Sequence, residues 1–233
     1  MIKINKLKEP SEWTRYRMTP GVDYQSIPEL VDSLLEEQGY ICAYCMRRIP
    51  CQDKLYNNKK NKSSYTVTKE SHRIEHIKSR ELHDDQKLSY SNMVICCPGH
   101  IDTEDHCDRL KGSKDLSFTP IDQSFIDTIR YSSDGTISST NSQYNKEMNE
   151  ILNLNTDMLR RNRKELWMEI VTLLQSRKPK GQAWSKKELE PLLRKYSEKY
   201  RYYDQNRKKV IYQYHPYCGI VIYNLQKKIQ SLF

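Results

Sequence analysis

The sequence predicts an α+β chain, in which a small unit of two strands and a short helix is followed by a mostly helical, basic last third. Three observations favour this class. Apolar residues recur at helical spacing in residues 27–40 and 148–175. Short runs with β-branched residues, at 64–78 and 93–97, are typical of strands. The third observation is the placing of the cysteines, which stand close together before the run at 64–78 and again from the end of the run at 93–97.

Three parts are expected along the chain: an N-terminal segment and helix, a central unit, and a C-terminal region, at residues 1–40, 41–120 and 121–233. The helix at 27–40 has Pro28 in its first turn and Gly39 at its end, as helices prefer. Residues 1–20 carry two prolines and no periodic apolar pattern, so we expect them to be irregular.

The central unit is predicted from its two strands. The stretch 64–78 is the better strand candidate, with apolar side chains at Ile74 and Ile77, and the run MVICC follows a polar loop. The remaining segments are a turn-rich insert and a short helix, at residues 98–105 and 106–115.

The C-terminal region is predicted from its caps and turns. Residues 121–142 indicate two strands joined by a turn around the sequence SSDGT. Residues 148–175 form either one long helix or two helices that meet at Asn155 and Thr156, where Thr156 suits an N-cap. A helix at 185–200 opens with a capping-box pattern, and the chain ends in a turn and an apolar segment.

Composition narrows the class of protein. The chain has 233 residues, of which 36% are hydrophobic and 30% are charged. No apolar run approaches the ~20 residues that cross a bilayer, and the first residues lack the apolar core of a secretory signal. We therefore expect a soluble, cytoplasmic protein without a membrane partner. Seven cysteines in a reducing compartment favour metal binding over disulfides.

The positive charge is concentrated in the last third of the chain. Residues 155–233 hold 18 Lys and Arg against 7 Asp and Glu, and they carry eight of the 17 tyrosines. A basic, tyrosine-rich region indicates a partner with a phosphate backbone. An acidic protein partner, or a solvated helix face with core tyrosines, fits the same charge.

Four sequence features stand in one order along the central unit. They read C-x2-C, then an acid next to a histidine, then asparagine five residues before a cysteine, then C-D-x2-K. The residues are Cys42, Cys45, Glu75, His76, Asn92, Cys97, Cys107, Asp108 and Lys111. This order resembles the HNH nuclease motif, which folds as two strands and a helix around one catalytic metal. The resemblance implies an α+β chain with a ββα-metal (HNH) core on a cysteine zinc knuckle.

Longer stretches are similar to the PtuB-type HNH proteins, which are effectors of Septu and certain retron anti-phage systems. The similar stretches are LLEEQGYICAYCMRRI, the strand with Glu75 and His76, HCDRLKG and EILNLNTDMLRRNR. The resemblance implies a bacterial endonuclease that acts with PtuA, an ATPase of the ABC/SMC class. It also implies, for retron systems, a reverse transcriptase and its multicopy single-stranded DNA.

The chemistry of the motif assigns a role to each residue. A neutral histidine can take a proton from water near neutral pH, so His76 is the expected general base. The carboxylates of Glu75 and Asp108 suit Mg²⁺ or Mn²⁺. Many HNH proteins have Asn or His in place of Asp108. We expect Asn92 to fix the loop by hydrogen bonds and Lys111 to contact phosphate. His72, His83 and His106 remain alternatives for phosphate or metal contact.

The cysteines predict a second, structural metal. Four thiolates in a tetrahedron make a closed zinc site, and Cys42, Cys45, Cys97 and Cys107 can supply them. Cys96 competes with Cys97, and Cys97 is preferred because the family places its cysteine five residues after the asparagine. The two cysteines without a partner at ligand spacing, Cys51 and Cys218, are expected to be small buried side chains.

Two other functions fit the same features. A zinc-stabilised, non-catalytic module would need the cysteines and the basic region, and it would hold nucleic acid or dock on an ATPase. An intact site that stays silent until a partner releases it is the third possibility. The substrate, DNA or an RNA such as tRNA, stays open.

Overall fold

The structure, a computed structural model, describes residues 1–49, 72–101, 104–178, 182–205 and 207–232. These residues form eight α-helices and eight strands, and the strands pair in four antiparallel hairpin-like sheets of two, so the α+β class is confirmed. The helices are α1 Ser11–Arg17, α2 Pro28–Gln38, α3 Asp108–Lys111, α4 Gln123–Ile126, α5 Ser142–Glu150, α6 Asp157–Arg177, α7 Lys186–Ser197 and α8 Cys218–Gln230. The strands are β1 Arg73–His76, β2 Met93–Cys96, β3 His100–Ile101, β4 Glu104–Asp105, β5 Ile129–Tyr131, β6 Ile137–Ser139, β7 Tyr200–Asp204 and β8 Lys209–Gln213.

The N-terminal part contains one helix more than the sequence predicts. Residues 1–20 are expected to be irregular, yet α1 forms directly after Pro10. Its Trp13 is fully buried and donates a hydrogen bond from Nε1 to the Leu88 carbonyl at 3.2 Å. Packing of one large aromatic side chain therefore stabilises a short helix that has little periodicity of its own.

The helix predicted at 27–40 is confirmed as α2. Pro28 is its first residue, and Gly39 ends it in the left-handed conformation with a φ of 60°. A Cβ atom at Gly39 would lie 2.5 Å from the ring of Tyr214, so this close approach also favours glycine.

The first two strands form the predicted antiparallel pair. Glu75 lies opposite Val94 and His76 opposite Met93. Of the strand predicted at 64–78, residues 64–71 lie outside the described residues. In the described remainder, β1 is shorter than predicted. Strand β2 agrees with the prediction at 93–97 to within one residue.

The segment after β2 brings the chain back to the strands. The insert folds as the short hairpin of β3 and β4, and the His106 N–H donates to the Gly99 carbonyl at 2.8 Å. The Cys107 N–H then donates to the Leu152 carbonyl at 2.8 Å. Helix α3 starts at the next residue, as the sequence predicts.

The middle of the C-terminal region confirms the strand-turn-strand and the two-helix prediction. Strands β5 and β6 pair as predicted, after the short helix α4. The long helical stretch consists of α5 and α6, and Thr156 caps α6 by accepting a hydrogen bond from the Leu159 N–H at 3.3 Å. Helix α5 begins at Ser142, six residues before the predicted start.

The last third contains, besides its helices, a two-stranded hairpin that the sequence does not predict. Strands β7 and β8 pair from Tyr200 with Gln213 to Asp204 with Lys209. Their side chains are mostly polar or aromatic and several are exposed, so no apolar alternation marks the hairpin in the sequence. Helix α7 has the predicted capping box, and the final apolar segment forms α8.

Buried apolar side chains from Met1 to Leu225 form one hydrophobic cluster. The cluster includes the cysteines of the central unit and the inner face of α8, so the central unit is packed between the two ends of the chain. Within the described ranges no helix is both long and apolar enough to cross a membrane.

Candidate metal centre and adjoining cleft

Four cysteine sulfurs lie together at the base of the central unit. The Sγ atoms of Cys42, Cys45, Cys97 and Cys107 are all within 4.8 Å of one another. The Cys42 and Cys107 sulfurs are 3.9 Å apart, and those of Cys45 and Cys97 are 3.7 Å apart. A tetrahedron with Zn–S bonds of about 2.3 Å has edges of about 3.8 Å. The four buried thiols therefore fit one zinc ion.

A tight turn presents the first two cysteines. The Met46 N–H donates to the Cys42 carbonyl at 3.1 Å, and the Cys42 N–H donates to the Arg47 carbonyl at 2.8 Å. The Ala43 N–H, inside the turn, donates to the Ile95 carbonyl of β2 at 3.0 Å. This last bond attaches the knuckle to the strand that leads into Cys97.

The structure selects Cys97 over Cys96. Both residues are fully buried, but Cys96 lies opposite Arg73 in the β1–β2 ladder and is not a member of the four-sulfur group. Cys218 is buried in α8, in agreement with the expectation of a small packed side chain. Cys51 lies outside the described residues.

His106, one of the three histidines left as alternatives for phosphate or metal contact, is a neighbour of the cysteine group. Its Nδ1 lies 3.1 Å from the Cys107 sulfur, and burial lowers its pKa to about 4. Its Nε2 is buried, with no hydrogen-bond partner among the residues that the structure describes. A ring nitrogen at this distance can donate to a thiolate and hold the ligand in place. His106 is fully buried, so its ring does not reach the protein surface.

The carboxylate of Glu75 is buried beside the cysteine knuckle. Its side chain is 3% exposed, and its Oε1 accepts from the Tyr44 hydroxyl at 2.9 Å and from the Lys111 ammonium at 2.8 Å. Burial is the largest cause of the raised pKa of Glu75, and the neighbouring Asp108 carboxylate raises it further. The Lys111 ammonium opposes this shift in pKa. Two neighbouring carboxylates repel each other unless one of them is protonated or a cation lies between them.

Lys111 points into the protein. Its side chain is 1% exposed, and besides Glu75 its Nζ contacts the His76 carbonyl oxygen at 3.3 Å. The sequence analysis expects this ammonium group at a phosphate. In the structure its charge is directed to a buried carboxylate and a strand carbonyl.

His76 lies at the wall of the cleft next to Glu75. Its Nε2 is 3.0 Å from the Lys87 carbonyl oxygen, and the Tyr24 ring packs edge-on against the imidazole at 4.7 Å between centroids. The Arg80 guanidinium stacks over the same tyrosine ring at 4.5 Å. Burial lowers the pKa of His76 to about 4, so the imidazole is neutral at pH 7.

Asn92 fixes the loop that carries Lys87. Its Oδ1 accepts from the Lys78 N–H at 2.7 Å, and its Nδ2 donates to the Lys78 and Gln86 carbonyls at 2.9 and 3.2 Å. The loop is thus closed onto the start of β2. Its carbonyl at Lys87 can then orient the His76 ring.

An open cleft of about 570 Å³ adjoins these groups. Asp108 lies in it, 3.4 Å from the Arg73 guanidinium. The residues along the cleft include Asp23, Tyr24, Arg73, Glu75, His76, Arg80, Lys87, Asp108 and Arg109.

The other two histidines considered for phosphate or metal contact lie in different places. His83 pairs with Asp115 at 2.6 Å, and His72 precedes β1.

Sequence reasoning missed three residues of this arrangement. Tyr44 stands inside the C-x2-C motif, so its position next to the ligands was a usable signal. Tyr24 and Arg80 are brought to His76 only by the folding of distant segments. No family model matches the chain, and no curated protein matches it. The fold and site define an α+β protein whose four close, buried cysteines suit a metal.

Proposed function

We propose that the chain is a metal-dependent HNH endonuclease, which hydrolyses phosphodiester bonds in nucleic acid. The observation that supports this most directly is the convergence of Glu75, His76 and Asp108 on one cleft beside β1, β2 and α3. A neutral imidazole beside two carboxylates is the group set that water activation on a phosphodiester requires.

His76 is the proposed general base. Its imidazole is neutral at pH 7, and the Lys87 carbonyl holds the ring from one nitrogen. The other nitrogen can accept the proton of a water that attacks phosphorus. Tyr24 restricts the ring from its edge, so the base is held in one orientation before substrate arrives.

Glu75 and Asp108 are the proposed ligands of Mg²⁺ or Mn²⁺. Tyr44 and Lys111 both contact Oε1 of Glu75, which leaves Oε2 for a cation. Mg²⁺ is often held by one or two carboxylates and completes its shell with water and phosphate oxygens. When bound, the ion would neutralise charge on the phosphate and its leaving oxygen.

Basic side chains along the cleft suit a phosphate chain. Arg73, Arg80, Lys87 and Arg109 border it. Lys87 pairs with Asp23 and Asp84, and Arg109 with Asp105. Arg80 stacks on Tyr24 and is exposed, so its guanidinium can take the phosphate contact that the buried Lys111 does not supply.

In the proposed setting the chain is an effector of anti-phage defence. It acts with a PtuA-type ATPase, and in a retron system with a reverse transcriptase and its multicopy single-stranded DNA. These partners rest on the resemblance of the sequence alone. The substrate is DNA or an RNA such as tRNA.

A zinc-stabilised subunit without catalytic activity is the second candidate. The buried ion pair of Glu75 with Lys111 favours it, because the pair neutralises the carboxylate without any added metal. The basic C-terminal third would then bind nucleic acid or the ATPase.

A cleavage assay on the wild type and His76→Ala separates the two. Plasmid DNA and total tRNA are incubated with Mg²⁺ or Mn²⁺, with and without the ATPase, and EDTA is the control. His83→Ala serves as the matched variant, because His83 lies in the adjoining loop and pairs with Asp115. Cleavage that requires metal, survives in His83→Ala and is lost in His76→Ala supports the endonuclease. No cleavage of either polymer under any condition supports the binding subunit.

A further inference from the structure

The hairpin of β7 and β8 exposes aromatic rings on one side. Tyr203 lies opposite Val210, and Arg201 lies opposite Tyr212, so these four side chains share a face. Tyr203 is 50% exposed and Tyr212 is 58% exposed. We call this set, Arg201, Tyr203, Val210 and Tyr212, the outer hairpin face.

The opposite side of the hairpin is different. Tyr202 lies opposite Ile211, which is buried, and it therefore belongs to the face that packs towards the protein. Tyr202 is nonetheless 44% exposed. The hairpin thus carries neighbouring tyrosines of similar exposure on its two sides.

The charges around the hairpin leave an excess of cations. Asp32 and Glu36 of α2 accept ion pairs from Lys209, and Asp32 also from Arg207. Arg201 and Lys208 are exposed, and neither forms an ion pair within the described part of the chain. The carboxylates of Asp32, Glu36 and Asp204 are thus paired with cations. Arg201 and Lys208 add exposed positive charge, and Glu198 before β7 adds one exposed carboxylate.

Exposed rings beside cations are the features of a stacking platform. Tyrosine rings on a sheet offer flat π-faces to unpaired bases, while arginine and lysine attract the backbone. Neither Tyr203 nor Tyr212 stacks on another aromatic ring among the described residues, and each is at least half exposed. The positive charge favours a negatively charged polymer over a protein surface with few acidic residues.

We propose that the outer hairpin face binds the unpaired bases of single-stranded nucleic acid, DNA or RNA, by stacking on Tyr203 and Tyr212. This binding needs no cleavage, so it holds for either candidate function above.

Fluorescence anisotropy tests this proposal with a fluorescein-labelled oligothymidine and an oligouridine of 15 nucleotides, without added divalent metal. Tyr203→Ser with Tyr212→Ser is expected to weaken binding at least tenfold, since one stacked ring contributes about tenfold or more. Tyr202→Ser is the matched control and is expected to bind as the wild type does. Arg201→Gln is expected to lower the salt dependence of log K by about 0.7.

Several results would overturn the proposal. They are unchanged binding in the double variant, an equal loss in Tyr202→Ser, and wild-type protein that binds neither oligonucleotide. A further contrary result uses a 15-base-pair duplex. If the wild type binds the duplex more tightly than the oligonucleotides, and the double variant loses duplex binding to the same extent, stacking on unpaired bases is contradicted. Far-ultraviolet circular dichroism checks that each variant is folded. The His76→Ala cleavage assay is independent, so a chain that binds through the hairpin but never cleaves upholds this proposal and overturns the endonuclease.

Discussion

The Tyr44 hydroxyl donates a hydrogen bond to Oε1 of Glu75 at 2.9 Å, from a position between two cysteines of the candidate zinc site. Burial, followed by the Glu75 charge, raises the pKa of Tyr44, so the phenol remains a donor at neutral pH. The cysteine knuckle thereby holds a carboxylate of the cleft. The candidate zinc site and the proposed site of the catalytic metal are joined through one side chain.

Tyr44→Phe is expected to lower the free energy of unfolding by about 1–2 kcal/mol, because a buried acceptor loses its donor. In the proposed endonuclease it should also raise the Mg²⁺ concentration for half-maximal cleavage, since Glu75 is held less firmly. Urea denaturation and a Mg²⁺ titration measure the two effects. Tyr40→Phe is the control, because the Tyr40 hydroxyl contacts Arg207 and not Glu75. Equal Mg²⁺ requirements in the two variants would contradict the coupling.

The adjacent cysteines allow a sharp test of the zinc site. Cys97→Ser is expected to reduce zinc content well below one ion per chain and to lower the melting temperature, because metal binding contributes to folding. Cys96→Ser should keep one zinc ion, although both residues are fully buried. Elemental analysis and thermal melting give the result. Zinc retained in Cys97→Ser, or lost equally in both variants, would argue against the four-sulfur site.

Local signals in the sequence were sufficient for much of the fold. Pro28 and Gly39 bound α2, and Thr156 caps α6, because each acts through backbone groups within its own turn. The order of the cysteines in the motif also indicated the four-sulfur group, and the resemblance to the HNH family indicated Cys97 in place of Cys96. These features depend on neighbours in sequence or on a ligand set with fixed chemistry.

The errors arose where distant contacts decide the outcome. Helix α1 is stabilised by burial of Trp13 against residues far along the chain, and the β7–β8 hairpin has no apolar alternation. Lys111 is expected at a phosphate, because nothing in its local sequence reveals that the Glu75 carboxylate lies 2.8 Å away. Tertiary burial, which the sequence does not encode locally, set its environment.

The buried pair predicts a strong asymmetry between single and double substitutions. Lys111→Met leaves the Glu75 carboxylate buried without its cation, and it is expected to destabilise the fold by about 3–5 kcal/mol. Adding Glu75→Gln should recover most of this loss, because no buried charge then remains. Urea denaturation of both single variants and the double variant measures the coupling energy. The exposed Lys114→Met is the control. Additive effects of the two substitutions would show that the ion pair does not form.

The low pKa of His76 predicts a defined pH window. Burial lowers it to about 4, whereas an unfolded histidine titrates near about 6.5. Between these values the unfolded chain binds more protons, so the contribution to stability rises with pH. This contribution to stability is complete above the pKa of the unfolded histidine and is lost as pH falls through the pKa of folded His76. The total loss is at most about 3 kcal/mol.

Urea denaturation from pH 4 to pH 7 measures this contribution as the difference between the wild type and His76→Gln. The difference should grow as pH rises from about 4 to about 6.5 and stay constant above that. His83→Gln is the matched control, because it removes an imidazole from the adjoining loop and keeps His76. If the protein cleaves nucleic acid, the acid limb of its rate should fall nearer pH 4 than pH 6.5, since the base is still neutral in between. A pH-independent difference between wild type and His76→Gln would mean that the imidazole is not held neutral by burial.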